Sequence, residues 1–120
     1  MEGIVSLSRA LADGGAVIWE PRDRPRLRVG AQWAASLRRD NGPVREILRR
    51  AVIFRAQIED SMGGPIVPYL ILPGVPECHV GQCLSCGSPA TSGWRCSLCL
   101  VAIYIALGHL TLLPEIVAAA

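Results

Sequence analysis

Apolar positions in the first sixty residues follow two different periods. Ile4, Leu7, Ser8 and Leu11 share one face of a 3.6-residue repeat, with Val5 and Ala10 beside it, and this predicts a short amphipathic helix over 2–13. Gly14-Gly15 ends it, as glycine does past a helix terminus. Ala16-Val17-Ile18-Trp19 is a β-prone run, and Arg26-Leu27-Arg28-Val29 alternates polar with apolar, the mark of a half-buried strand. Glu20 to Pro25 carries two prolines and reads as a turn, so the pair predicts a β-hairpin with a six-residue connection. Helical spacing returns at Trp33, Ala34 and Leu37, and Asp40-Asn41-Gly42-Pro43 breaks it. A longer stripe follows, made of Val44, Ile47, Leu48, Ala51, Phe54 and Ile58, with Pro43 suited to its first turn. Arg45, Arg49, Arg50 and Arg55 lie off this stripe and read as an exposed helix flank, where Glu46 can pair with Arg49 or Arg50.

The pattern changes after Ser61-Met62-Gly63-Gly64-Pro65. From Pro65 to Pro76 four prolines interrupt an apolar run, which forbids a helix and discourages a central strand. Its apolar residues predict an extended segment lying across a hydrophobic surface. Leu100 to Leu113 is strongly apolar, and no charged residue occurs from Cys96 to Pro114. Without the two cysteines about fourteen residues remain. At ~1.5 Å each they reach roughly 21 Å, short of the ~30 Å hydrocarbon core of a bilayer, so the prediction is a buried helix and no membrane span. The organisation expected is therefore α+β: an αββαα module over 1–60, a proline-rich extended connector over 61–77, and a cysteine-rich segment with a short apolar helix over 78–120.

The most specific chemical signal is Cys83-Leu-Ser-Cys86, then nine residues, then Cys96-Ser-Leu-Cys99. Each CxxC puts two thiolates on one side of a tight turn, and four thiolates at tetrahedral spacing suit a structural zinc ion. Gly87 follows the first pair and allows the turn that aims backbone N–H groups at sulfur. The second pair lacks that glycine and is expected at a helix start, where the helix dipole and Arg95 favour thiolates. Four protein sulfurs leave no open coordination position, so the site is structural rather than catalytic. Iron and dithiol redox chemistry are the lesser alternatives, and Cys78 and His79 are spare donors. CxxC pairs without an export signal read as reduced metal ligands in a cytoplasmic protein.

Charge narrows the function classes. Residues 1–60 hold eleven Arg against eight Asp and Glu, whereas residues 61–120 hold one Arg and two Glu. The formal net charge of +2 falls to about neutral with four thiolates around a divalent ion, so general attraction to nucleic acid is weak. Arg22, Arg24, Arg26 and Arg28 are spaced by two, which fits either a solvated strand face or a basic docking surface. His79 and His109 have no carboxylate or serine partner by motif, and no phosphate-binding glycine loop is present, so no enzyme activity is expected.

Leu7 to Leu11, Gly15-Ala-Val-Ile-Trp19, Pro25-Arg-Leu-Arg-Val29, Ala35-Ser-Leu-Arg-Arg39 and Val44-Arg-Glu-Ile-Leu-Arg-Arg50 together resemble the TubC N-terminal docking domain family. The resemblance covers about half the chain. It departs from the family in its long, proline-flanked turn and in Gly30-Ala-Gln-Trp33, where members have a Leu-Thr-Pro-Glu-like helix start. It implies a small αββαα module, often a homodimer, whose hairpin captures a short acidic tail of a partner protein. On this chain the capture surface would be Arg22, Arg24, Arg26 and Arg28 with Trp19. Similar modules occur in short bacterial proteins with cysteine-rich ends, often in mobile elements. The expected function is thus a non-catalytic protein-interaction adaptor with a structural zinc site. The alternative is a nucleic-acid-binding accessory protein of zinc-ribbon type. The cysteines read as a local staple, so Cys86→Ser is expected to unfold 78–113 and leave the first sixty residues largely folded.

Overall fold

A computed structural model describes residues 2–20, 24–39, 41–60, 70–75, 81–90 and 95–114. Their order is α1 (Glu2–Ala12), β1 (Ala16–Glu20), β2 (Arg24–Arg28), α2 (Ala31–Arg39), α3 (Asn41–Asp60), α4 (Ser97–Leu107) and a 3-10 turn at Leu110–Leu112. Among the described residues, four helices and one two-stranded sheet make an α+β fold. The expected stripe of α1 is buried: Ile4, Leu7, Ser8, Ala10 and Leu11 all face the core. Ser8 can sit there because its hydroxyl donates to the Val5 carbonyl at 2.8 Å. The chain leaves α1 through Gly14 at φ +79°. Gly15 then donates to the Ala10 carbonyl, and a Cβ on Gly15 would collide with that same carbonyl.

The hairpin is tighter than the sequence suggests. β2 begins at Arg24 rather than Arg26, so the connection is residues 21–23 and Pro25 lies within the strand, opposite Trp19. Proline is admissible there because each strand of a two-stranded sheet has an open edge for the missing N–H. The antiparallel register pairs Val17 with Leu27 and Trp19 with Pro25 on one face, and Ala16 with Arg28, Ile18 with Arg26 and Glu20 with Arg24 on the other. The first set is half-buried against the core, while Ile18, Arg26 and Arg28 are exposed. Across the inner face the Arg55 guanidinium of α3 lies 4.3 Å from the Trp19 ring centroid. Arg55→Ala should lower stability by about 0.5–1 kcal/mol, the usual worth of such a contact. Urea denaturation checks this, and an unchanged midpoint would assign the contact no weight.

α3 buries Val44, Ile47, Ala51 and Phe54, the centre of the predicted stripe. Arg49 is exposed as expected, its side chain 56% accessible, but Arg50 is not: its side chain is 12% accessible. The exposed-flank reading therefore fails for Arg50. Beyond α3, the expected extended segment is described only over residues 70–75, and it turns at 73–74, where Gly74 has φ +79°. Leu70 and Leu72 are buried and Ile71 between them is exposed. The Gln57 side chain clasps the Ile71 backbone, donating to its carbonyl at 2.6 Å and accepting from its N–H at 3.2 Å.

α4 starts at the second CxxC pair, as expected, but stops short of the expected end. Cys96 occupies its N-cap position, and Gly108 closes it at φ +81°, with His109 N–H on the Tyr104 carbonyl. The predicted helix end at Leu113 is thus replaced by a break at Gly108 and a separate 3-10 turn. No helix among the described residues is long and apolar enough to cross a membrane. α4 is apolar around its whole circumference and buries Cys99, Val101, Ala102, Ile103 and Ile105. It packs chiefly on α3, with α1 also touching it. The buried side chains form one cluster that runs from Ile4 and Leu7 through Phe54, Leu70 and Leu72 to Cys83, Cys99 and Leu113.

Candidate metal centre

Two backbone devices present the four thiols. The first is a small reverse turn. Gly81 accepts from the Ala90 N–H, the Gln82–Pro89 bridge pairs its two sides, and Cys83 donates its N–H to the Ser88 carbonyl at 2.7 Å. Gly87 N–H then returns to the Cys83 carbonyl at 2.9 Å, with Gly87 at φ +79°. The expected glycine turn is therefore present. Ala at 87 would meet only Val75 Cγ1, at 3.8 Å, so its cost is backbone strain and not collision. At about 1–2 kcal/mol, Gly87→Ala should weaken metal binding about tenfold, as read by chelator competition. Affinity equal to wild type would mean that the turn does not preorganise the ligands.

The second device is the start of α4, which carries Cys96 and Cys99 on its first turn, as the missing second glycine suggested. The four sulfurs of Cys83, Cys86, Cys96 and Cys99 all lie within 4.8 Å of one another. Four sulfurs at ~2.3 Å around a tetrahedral ion sit about 3.8 Å apart, so small side-chain rotations bring this set onto one metal ion. Cys83 and Cys99 are fully buried, while Cys86 and Cys96 are half-buried and 3.6 Å apart at sulfur. Cys78 and His79, the spare donors, lie outside the described residues.

Without a cation the cluster shares protons. The hydrogen bond from the Cys99 thiol holds Cys96 down to about 4, and that same bond, with burial, pushes Cys99 up. Burial also pushes Cys83 up, partly offset by backbone N–H groups of Cys96, Ser85 and Cys86. Cys96 thus carries charge easily, while Cys83 and Cys99 resist it until a divalent cation replaces their protons.

Three polar residues surround the cluster, and of these the sequence pointed only to Arg95. Ser85 is fully buried. Its hydroxyl donates to the Leu70 carbonyl at 2.5 Å and accepts from Arg95 Nε at 2.9 Å, while the Ser85 carbonyl accepts from Leu72 N–H. The first CxxC loop is thereby tied to the extended segment. This hydroxyl is one contact of Arg95, for which the sequence suggested a role beside the thiolates. The third residue is Arg50. Its Nη1 lies 3.2 Å from Cys99 Sγ and 3.7 Å from Cys96 Sγ, and its Nε donates to Glu46 Oε1 at 2.7 Å. Burial alone would lower the Arg50 pKa, but Glu46 and the Cys99 sulfur outweigh it and raise it, so the guanidinium stays charged. The one available signal was charge, since four thiolates around a divalent ion carry −2 and call for a nearby cation.

Glu46 holds both arginines. The Arg49 hydrogen bond, with that of Arg50, lowers its carboxyl from 4.5 to about 2 against the opposing effect of burial. A depressed folded-state pKa gives stability that is present above pH 4.5 and lost as pH falls towards 2. The side chain is a third accessible, so Glu46→Gln should cost about 0.3–1 kcal/mol near pH 7. Denaturation at pH 7 checks this, and a loss above about 2 kcal/mol would contradict a partly solvated pair.

Of the expected docking residues, Arg26 and Arg28 share the outer hairpin face with Ile18, and Arg24 is the strand partner of Glu20. Trp19 is on the opposite, inner face beneath Arg55, and Arg22 lies outside the described residues. No family model, curated protein or solved structure matches the chain, so the reading of both sites rests on their residues alone.

Proposed function

We propose that this chain is a non-catalytic protein-interaction adaptor, with a structural zinc ion in its four-cysteine centre and an arginine-bearing hairpin that captures a short acidic segment of a partner protein. The observation that carries the docking part is the register, which puts Arg26 and Arg28 on one outer face beside the exposed Ile18. A pair of guanidinium groups suits carboxylates, and a neighbouring apolar side chain suits the alternating side chains of an extended acidic peptide. For the metal, four sulfurs favour zinc over harder cations and leave no position for a substrate, which fits a structural role.

The test uses a fluorescein-labelled peptide of alternating Glu and Leu, with a single-stranded oligonucleotide as the competing probe. Salt-sensitive peptide binding that Arg26→Glu with Arg28→Glu abolishes supports the adaptor reading. Peptide binding unaffected by the pair overturns the hairpin surface. Oligonucleotide binding in its place favours the nucleic-acid alternative.

A further inference from the structure

We propose that Arg50 is the outer cation of the metal centre, a positioning residue on α3 that holds the Cys96 and Cys99 thiolates and fastens the metal site to the N-terminal helices. The proposal rests on the reading of the four cysteines as a metal centre. Arg50 stands 46 and 49 residues from its two sulfur partners, so no local sequence constraint brings them together. Two edges of one planar group are used. Nε is fixed by Glu46 at 2.7 Å, and Nη1 is thereby aimed between the two sulfurs of the second CxxC pair. Glu46 is itself held by Arg49 through two hydrogen bonds, at 2.6 and 3.0 Å. The charges thus alternate inward from solvent: Arg49 positive, Glu46 negative, Arg50 positive, then the thiolates.

A surface arginine drifting near sulfur would not look like this. The Arg50 side chain is 12% accessible while that of its neighbour Arg49 is 56% accessible. Four thiolates with one divalent ion leave two negative charges partly out of water, where an unpaired charge is costly. A guanidinium at hydrogen-bond distance removes half of that excess. Hydrogen bonds to metal-bound thiolates also draw electron density from sulfur, which makes it a poorer nucleophile. Lysine could supply the charge but not the fork that engages carboxylate and sulfur at once.

The experiment compares the full chain with Arg50→Gln and Arg50→Lys, using Co(II) and Zn(II) as probes. Wild type should bind one Co(II) with tetrathiolate charge-transfer bands. Arg50→Gln should lower zinc affinity by about 10–100-fold, the usual effect of losing an outer partner, move those bands to lower energy, and speed alkylation of the bound thiolates. Arg50→Lys should fall between the two. Indistinguishable spectra and affinities overturn the Arg50 role alone, whereas wild type that binds no metal overturns the centre and this role together. If Arg50→Gln does not fold, Glu46→Ala supplies the decision, because it removes the acceptor that fixes Arg50 Nε and leaves the cysteines untouched. A band shift in the same direction supports the proposal, and an unshifted spectrum overturns it.

Discussion

Cys99→Ser is expected to release the metal and to unfold the chain as one unit, not residues 78–113 alone. Cys99 is fully buried and stands on the first turn of α4, the helix that packs most extensively on α3. A structural zinc site contributes about 10–16 kcal/mol of apparent binding energy, comparable with the whole ~5–15 kcal/mol stability of an ordinary domain. Losing one of four ligands removes most of that. The loss is not confined to the cysteine-rich end, because α4 shares its core with α1 and α3. Val101, Ala102, Ile103 and Ile105 belong to the same buried cluster as Leu7, Ile47 and Phe54. Hydrogen exchange checks this residue by residue. Amides of α1 and α4 should lose protection together, whereas α1 amides that stay protected in Cys99→Ser would show that the first sixty residues fold alone.

Phe54→Ala should cost about 3–5 kcal/mol, the range for emptying a fully buried aromatic site. Phe54 is inaccessible to solvent and heads the largest wholly buried side chains of the molecule. It lies in the second half of α3, the helix that touches α1, α2, β2 and α4. Truncation there leaves a cavity that rigid neighbours on several sides cannot close. Arg45→Ala on the exposed face of the same helix is the control and should stay within about 0.5 kcal/mol. Denaturant midpoints at saturating zinc measure both. A Phe54→Ala loss below about 1 kcal/mol would mean that the α3 core collapses around the gap or is not packed as described.

These expectations depend on elements that were legible to different degrees. The stripes of α1 and α3 could be read directly, because apolar residues recurring every 3.6 positions fall on one face only if the backbone is helical. Ile4, Leu7, Leu11, Val44, Ile47, Ala51 and Phe54 are all buried. The cysteine spacing also foretold a cluster, since two CxxC turns have few ways to meet. Pro25 misled the strand boundary: proline punctuates most strands, but a two-stranded hairpin leaves one side of each strand open, and the residue fits there opposite Trp19. Leu113 misled the helix end, because apolar character continues past Gly108 while the backbone turns left-handed there. Arg50 was hidden for a different reason. Helical spacing puts it beside the stripe, and only the third dimension places a thiol of α4 within 3.2 Å of it. Long-range polar partners leave no periodic trace. The same holds for Ser85 with Leu70 and for Gln57 with Ile71.

The claim on which the rest depends is that four cysteines hold one metal ion. Native mass spectrometry of protein purified without chelator, followed by alkylation under native conditions and again after chelator, measures it directly. One zinc per chain is expected, with slow alkylation of Cys83, Cys86, Cys96 and Cys99 until the metal is removed, and collapse of the fold on removal. A metal-free chain that is folded and alkylates freely at Cys86 and Cys96, the two half-buried thiols, would contradict it.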